Sequence, residues 1–280
     1  MTQRARCNDL DGMFESPHDA APKWLFVLSD MYTAYLDETG IHANDWIFIA
    51  GFLGKKEQWE SLVPQWKLAL GQRKKLHMNE LRWASRATER LLTKLGPIPK
   101  SCGLTPVVGG VKYSDYQDIV KGTIIEKSSE GYYWCLVALV QAILKSIPQD
   151  DRVELFLAHQ SKYRERALIA LSSIQNVTIT HPGLQQCRTS NGLSKLAKYS
   201  YASYESTSLF EPADYYASAM AHHHMDSTSE KARLSSPILE ERAIGCVFSR
   251  EQVREYVRRS KDNLIPEILK LGLTWKIPTV

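Results

Sequence analysis

Trp46-Ile47-Phe48-Ile49-Ala50-Gly51-Phe52-Leu53 is a run without a single polar side chain. A strand turns successive side chains to opposite faces, so this run is apolar on both and requires cover on both sides. It reads as the central strand of a sheet enclosed by helices. Just upstream, Tyr32 to Asp37 reads as a second strand, and the turn residues His42, Asn44 and Asp45 make the two a hairpin. The first strand leaves through Tyr35-Leu36-Asp37-Glu38-Thr39-Gly40, which sets two adjacent carboxylates at a core edge. Neighbours on a strand face opposite ways, so the pair serves one site only if the chain bends or ends there, which Gly40 permits.

Strands and helices interleave along the rest of the chain. Trp59, Leu62, Val63, Trp66 and Leu70 form one stripe of a 3.6-residue period, predicting a helix over Glu57 to Leu70 that Pro64 kinks or shifts. Leu91 to Leu95 completes another helix, stopped at Gly96-Pro97. Leu104 to Lys112 reads as a strand, Ser114 as the N-cap of a helix, and Tyr132 to Ile147 as a helix apolar all round. Val153 to Ala158 is a strand ending at His159-Gln160, Tyr163 to Ile174 a helix, and Val177 to Thr180 a short strand. Lys198 to Glu205 alternates like a strand, and Ser208 opens a helix to about His224. The expected organisation is a flexible tail over 1–22, an α/β domain with a mixed sheet over 23–224, and an exposed loop (225–236) before C-terminal helices, opened by the capping box Ser249-Arg250-Glu251-Gln252, packed on the same domain.

Composition removes several classes. Five scattered cysteines without CxxC spacing argue against a disulfide framework or a zinc cluster and for a reducing, cytoplasmic setting. Residues 1–22 lack the apolar stretch of a signal peptide, and Tyr132 to Leu144 is too short to span a bilayer, so no membrane partner is expected. A net charge of +4 does not by itself argue for nucleic acid.

Four constellations remain as candidate chemistry. Asp37 and Glu38 are either a polar turn or the acidic end of a site. Glu211 and Asp214 lie three apart on one helical face, a spacing that Ser208 and Glu211 also explain as a capping box. His77 stands three before Glu80, after the basic run Arg73-Lys74-Lys75, and His159 stands at a strand end, where open α/β sheets place ligands. His222-His223-His224 point in different directions on a helix and read as a solvated helix end rather than a metal site. No glycine-rich phosphate loop is present; Gly109-Gly110 alone is too little.

Taken in order, these pieces resemble the bacterial and phage family filed as domain of unknown function 3800. The resemblance rests on Asp37-Glu38-Thr39-Gly40, Ile49-Ala50-Gly51-Phe52, the spaced Trp59 and Trp66, His77-Met78-Asn79-Glu80-Leu81 and Glu211-Pro212-Ala213-Asp214. It implies a ribonuclease-H-like fold and a metal-dependent nuclease or phosphodiesterase, with nucleic acid as a possible partner. Asp37 and Asp214 are the implied magnesium or manganese ligands, Glu38 and Glu211 second ligands or orienters, and His77 or His159 a proton-transfer group. The chain departs from the family in having Ala158-His159-Gln160 where relatives carry an acid, and Glu211 where they carry Gln. A catalytically degenerate binding or scaffold protein on the same fold is the alternative that these departures leave open.

Overall fold

The computed structural model describes residues 31–39, 45–121, 131–158, 164–180, 182–202, 207–239, 242–255 and 257–258. In chain order the elements are β1 (Met31–Thr39), β2 (Trp46–Lys55), α1 (Lys56–Leu70), α2 (Arg86–Leu95), α3 (Ile98–Ser101), β3 (Thr105–Lys112), α4 (Tyr113–Val120), α5 (Gly131–Ser146), β4 (Arg152–Ala158), α6 (Arg164–Thr180), β5 (Leu196–Ala202), α7 (Glu211–Met225), α8 (Glu230–Ser235) and β6 (Ile244–Phe248). Six strands form one mixed sheet in the order β5-β4-β1-β2-β3-β6. Only β2 runs against its neighbours: it is antiparallel to β1 and β3, while β4 is parallel to β1, β5 to β4 and β6 to β3. The result is an α/β architecture with helices on both faces, compatible with a ribonuclease-H-like sheet.

The doubly apolar run is interior, and Ile47 through Leu53 are buried. Ile47, Ile49 and Leu53 pack with α5 and α6 on one face, whereas Phe48, Ala50 and Phe52 pack with α1, α2 and α7 on the other. Gly51 sits opposite Leu36. A Cβ there would lie 1.9 Å from the Tyr35 carbonyl oxygen, so the close β1–β2 approach excludes any larger residue. Helix α1 buries Trp59, Leu62, Trp66 and Leu70 and runs through Pro64 without moving its start.

Several boundaries differ from expectation. Val177 to Thr180 is the last turn of α6, not a strand; four consecutive β-branched residues suggest a strand, but the helix preceding them simply continues. Ser114 does not cap α4, because its amide and hydroxyl both donate to Asp45 at 2.8 Å. The stretch 225–236 is not an exposed loop: α8 occupies it, capped by Ser229, and buries Ala232, Leu234 and Ser235. The sequence pattern predicts neither α3 nor β6, and β6 shows that the C-terminal part supplies a sheet strand as well as helical turns. The capping box at Ser249 does form, with Ser249 N donating to Gln252 Oε1 at 2.8 Å and Gln252 N to Ser249 Oγ at 3.3 Å. Residues 1–22, the strand-like sequence run Trp24 to Leu28, and His159-Gln160 lie outside the described residues. Among the described residues no helix is long and apolar enough to cross a membrane.

Candidate functional site

Strand β1 does not bend at its acidic end. Its pairing with β2 continues unbroken through Asp37–Ala50, Glu38–Ile49 and Thr39–Phe48. The pleat therefore separates the two acids. Ala34 and Leu36 point into the core under α5, and Glu38 follows them to a hydrogen bond with Tyr132 on α5. Tyr35 points the other way, against Trp59 and Phe210, and Asp37 follows it to the side covered by α1 and α7. Asp37 is 6% exposed, its Oδ1 accepting the Glu38 amide at 2.8 Å, while Glu38 is half-buried. Burial pushes the Glu38 carboxyl up to about 8, opposed by the Tyr132 hydrogen bond and assisted by the Asp37 charge. Tyr132 in turn lies 3.4 Å from the Tyr201 hydroxyl on β5. A narrow crevice between the ends of β1 and β4 is lined there by both acids, Asp37 and Glu38, together with Leu36, Ile49, Tyr132, Leu157 and Ala158.

The second acidic pair lies in the first turn of α7, and its chemistry is not that of a cap. Thr207 caps the preceding turn, its hydroxyl accepting from Leu209 N at 3.2 Å, so the Ser208–Glu211 box does not form. Glu211 Oε2 accepts instead from the Trp66 indole at 2.8 Å and from Leu76 N at 3.1 Å. One turn on, Asp214 Oδ2 lies 2.9 Å from His77 Nδ1 and accepts from Met78 N at 2.9 Å. Its Oδ1 accepts from Ser218 Oγ at 3.3 Å. Two carboxylates on one helix thus grip alternate amides of the segment after the basic run. Burial raises the Glu211 carboxyl above its ordinary range, against the Trp66 and Leu76 hydrogen bonds. The hydrogen bond to Asp214 raises the His77 imidazole above 6.5, against a smaller desolvation effect.

The structure thus brings His77, Asp214 and Glu211 together and places Asp37 on the same side of the sheet. Strand alternation turns the Glu38 side chain to the other face of the sheet, while both acids border the crevice at the end of β1. His159 lies outside the described residues. The three consecutive histidines diverge as expected: His222 meets Trp83 edge-on, His224 lies against Trp46 and Phe48, and His223 is exposed. Among the described residues, no three His, Cys, Asp or Glu side chains form a group able to hold a metal ion. Glu38 faces away, and Glu211 Oε2 and Asp214 Oδ2 each already meet two nitrogen atoms. Among the described residues, the four carboxylates therefore form no three-ligand group of the kind that the two-ion centre in the family resemblance calls for.

Trp66, Ser218, Tyr132 and Tyr201 join these sites although no sequence motif marks them as polar partners. For Trp66 the signal was available: a buried indole N–H needs an acceptor, and the stripe of α1 offers none. No protein-family model and no curated protein sequence matches the chain.

Proposed function

We propose that the chain is a phosphodiester hydrolase on a ribonuclease-H-like sheet, akin to the domain-of-unknown-function 3800 proteins, with the His77–Asp214 pair as its acid–base group. The observation that carries this reading is the 2.9 Å contact between His77 Nδ1 and Asp214 Oδ2, with the imidazole 35% exposed and the carboxylate 8%. An enclosed carboxylate that accepts from Nδ1–H fixes the tautomer, leaves Nε2 as the base and stabilises the imidazolium. The Met78 amide and Ser218 hydroxyl keep Asp214 aimed at the ring. Such a group takes a proton from an attacking water and returns it to the departing alkoxide, a contribution of about 100-fold to 10,000-fold.

The test is turnover of an activated phosphodiester and of single-stranded oligonucleotides, in chelator and in Mn²⁺. His77→Ala and Asp214→Asn should each lower kcat/KM by about 100-fold or more, with unchanged far-ultraviolet circular dichroism. Because Asp214 holds the imidazole above 6.5, the acid limb of the wild-type pH profile should lie above that value and move down in Asp214→Asn. Activity indifferent to His77→Ala sinks the proposal. Activity that requires Mn²⁺ and vanishes in Asp37→Asn restores the metal centre in its place. The alternative, a catalytically degenerate binding protein, is favoured by one observation: both α7 carboxylates are engaged in holding residues 76–78. Oligonucleotide binding by wild-type protein that cleaves none of these substrates would establish it.

A further inference from the structure

Charge is unevenly distributed along the chain. Residues 61–100 contain nine Lys or Arg and only two acids, Glu80 and Glu89, whereas the whole chain is +4. All nine cations are exposed. Glu89 is neutralised by Arg233 at 3.0 Å, while Arg73, Lys74, Lys75, Arg86, Arg90 and Lys94 form no ion pair among the described residues. On α2, Arg86, Arg90 and Lys94 recur every fourth residue on the side opposite the buried Thr88, Leu92 and Leu95. The cations therefore form an outward stripe rather than a scatter.

The fold aligns this stretch beside the proposed site. His77 is held by Asp214 in the first turn of α7, and Trp83 meets His222 near its last turn, with ring centroids 4.7 Å apart. Eight residues of helix rise separate those contacts, about 12 Å. The chain from 77 to 83 therefore runs along α7, with Arg73 to Lys75 leading into one end and Arg86 following the other. Trp83 adds a half-buried aromatic ring to the band, with Lys231 Nζ 5.7 Å over its face. Asp226, at the end of α7, and Glu230, the first residue of α8, add negative charge beyond the band.

We infer that this band, from Arg73–Lys75 across Trp83 to the outer stripe of α2, binds the phosphate backbone of a nucleic-acid strand and delivers it to His77. The inference names the substrate class of the proposed hydrolase and rests on that reading for what happens after binding. Unpaired cations beside an aromatic ring are the composition that single strands use, by phosphate neutralisation and base stacking.

Fluorescence anisotropy of a labelled single-stranded oligonucleotide, titrated with full-length protein between about 0.05 and 0.2 M salt, tests this. The triple variant Arg86→Gln, Arg90→Gln, Lys94→Gln should bind about tenfold more weakly, and its salt slope should fall by about 2, at roughly 0.7 for each phosphate that is no longer neutralised. A control triple variant at exposed lysines elsewhere, Lys56→Gln, Lys121→Gln, Lys145→Gln, should keep wild-type affinity. His77→Ala should bind normally while losing turnover, which separates failure of the catalytic reading from failure of this one. Unchanged affinity in the α2 variant, equal weakening in the control, or wild-type binding to phosphatidylserine vesicles but to no oligonucleotide overturns the inference.

Discussion

Glu38 carries a carboxyl group into the side of the sheet covered by α5, where water solvates it poorly and Tyr132 is its hydrogen-bond partner. Its pKa is raised from 4.5 to about 8 on folding, so the native state binds the extra proton. The stability this gives is fully present below about 4.5 and is lost as pH rises through about 8. Glu38→Gln keeps the shape and removes the ionisation. It should melt like wild type near pH 5 and be more stable by on the order of 3 kcal/mol at pH 9, in urea unfolding at both values. A carboxylic-acid C=O stretch at neutral pH, absent in Glu38→Gln, would confirm the protonated form directly. The opposite facing of Asp37 and Glu38 was legible from the strand period alone. What hid it was Gly40, which made a bend at the acids a reasonable expectation although the ladder persists to Thr39.

At the scale of elements, the first turn of α7 and the segment 76–78 form a clasp. Glu211 joins α1, through Trp66, to Leu76, and Asp214 joins the same helix to His77 and Met78. Removing an enclosed acceptor strands its donors, so Glu211→Ala should lower stability by about 2–4 kcal/mol in urea unfolding and speed hydrogen exchange at the Leu76 amide specifically. Glu211→Gln, which retains an acceptor oxygen, should lose less. Equal exchange at Leu76 in both variants would show that the clasp does not hold the segment. The stripe of α1 and the all-apolar α5 were legible because periodicity reports burial directly. The clasp was not, because i, i+3 acids at a helix start look the same whether they cap their own helix or hold another segment. Strand β6 was hidden because Gly245 and Cys246 interrupt any alternation, and Gly245 takes φ +109° where a Cβ would meet the Val108 carbonyl.

Across the whole molecule, the strand order follows from features the chain states openly: a hairpin of β1 and β2, a doubly covered β2, and helices that return β4 and β5 parallel to β1. The same sheet separates two titrating groups with opposite effects on stability. Glu38 lies on the α5 side; His222 lies on the α7 side, its Nδ1 buried without a hydrogen-bond partner among the described residues. Burial, with a smaller push from Lys231, lowers the His222 imidazole to about 4. The folded state therefore holds it neutral, and the stability this gives is present above about 6.5 and lost as pH falls through about 4. His224, packed on Trp46 and Phe48 with its pKa also lowered by burial, adds to that acid limb. Thermal unfolding followed against pH should peak between about 5 and 7, with limbs of separate origin. His222→Phe keeps the edge-on ring against Trp83 and removes the buried nitrogen. It should flatten the acid limb by about 1–3 kcal/mol at pH 4 and leave the alkaline limb intact, while Glu38→Gln does the reverse. Their double variant should sum the two effects, since the sites lie on opposite faces and share no partner. A double variant whose acid limb depends on Glu38 would show the sheet transmitting charge between its faces, and the two-sided separation of the acids would then fail.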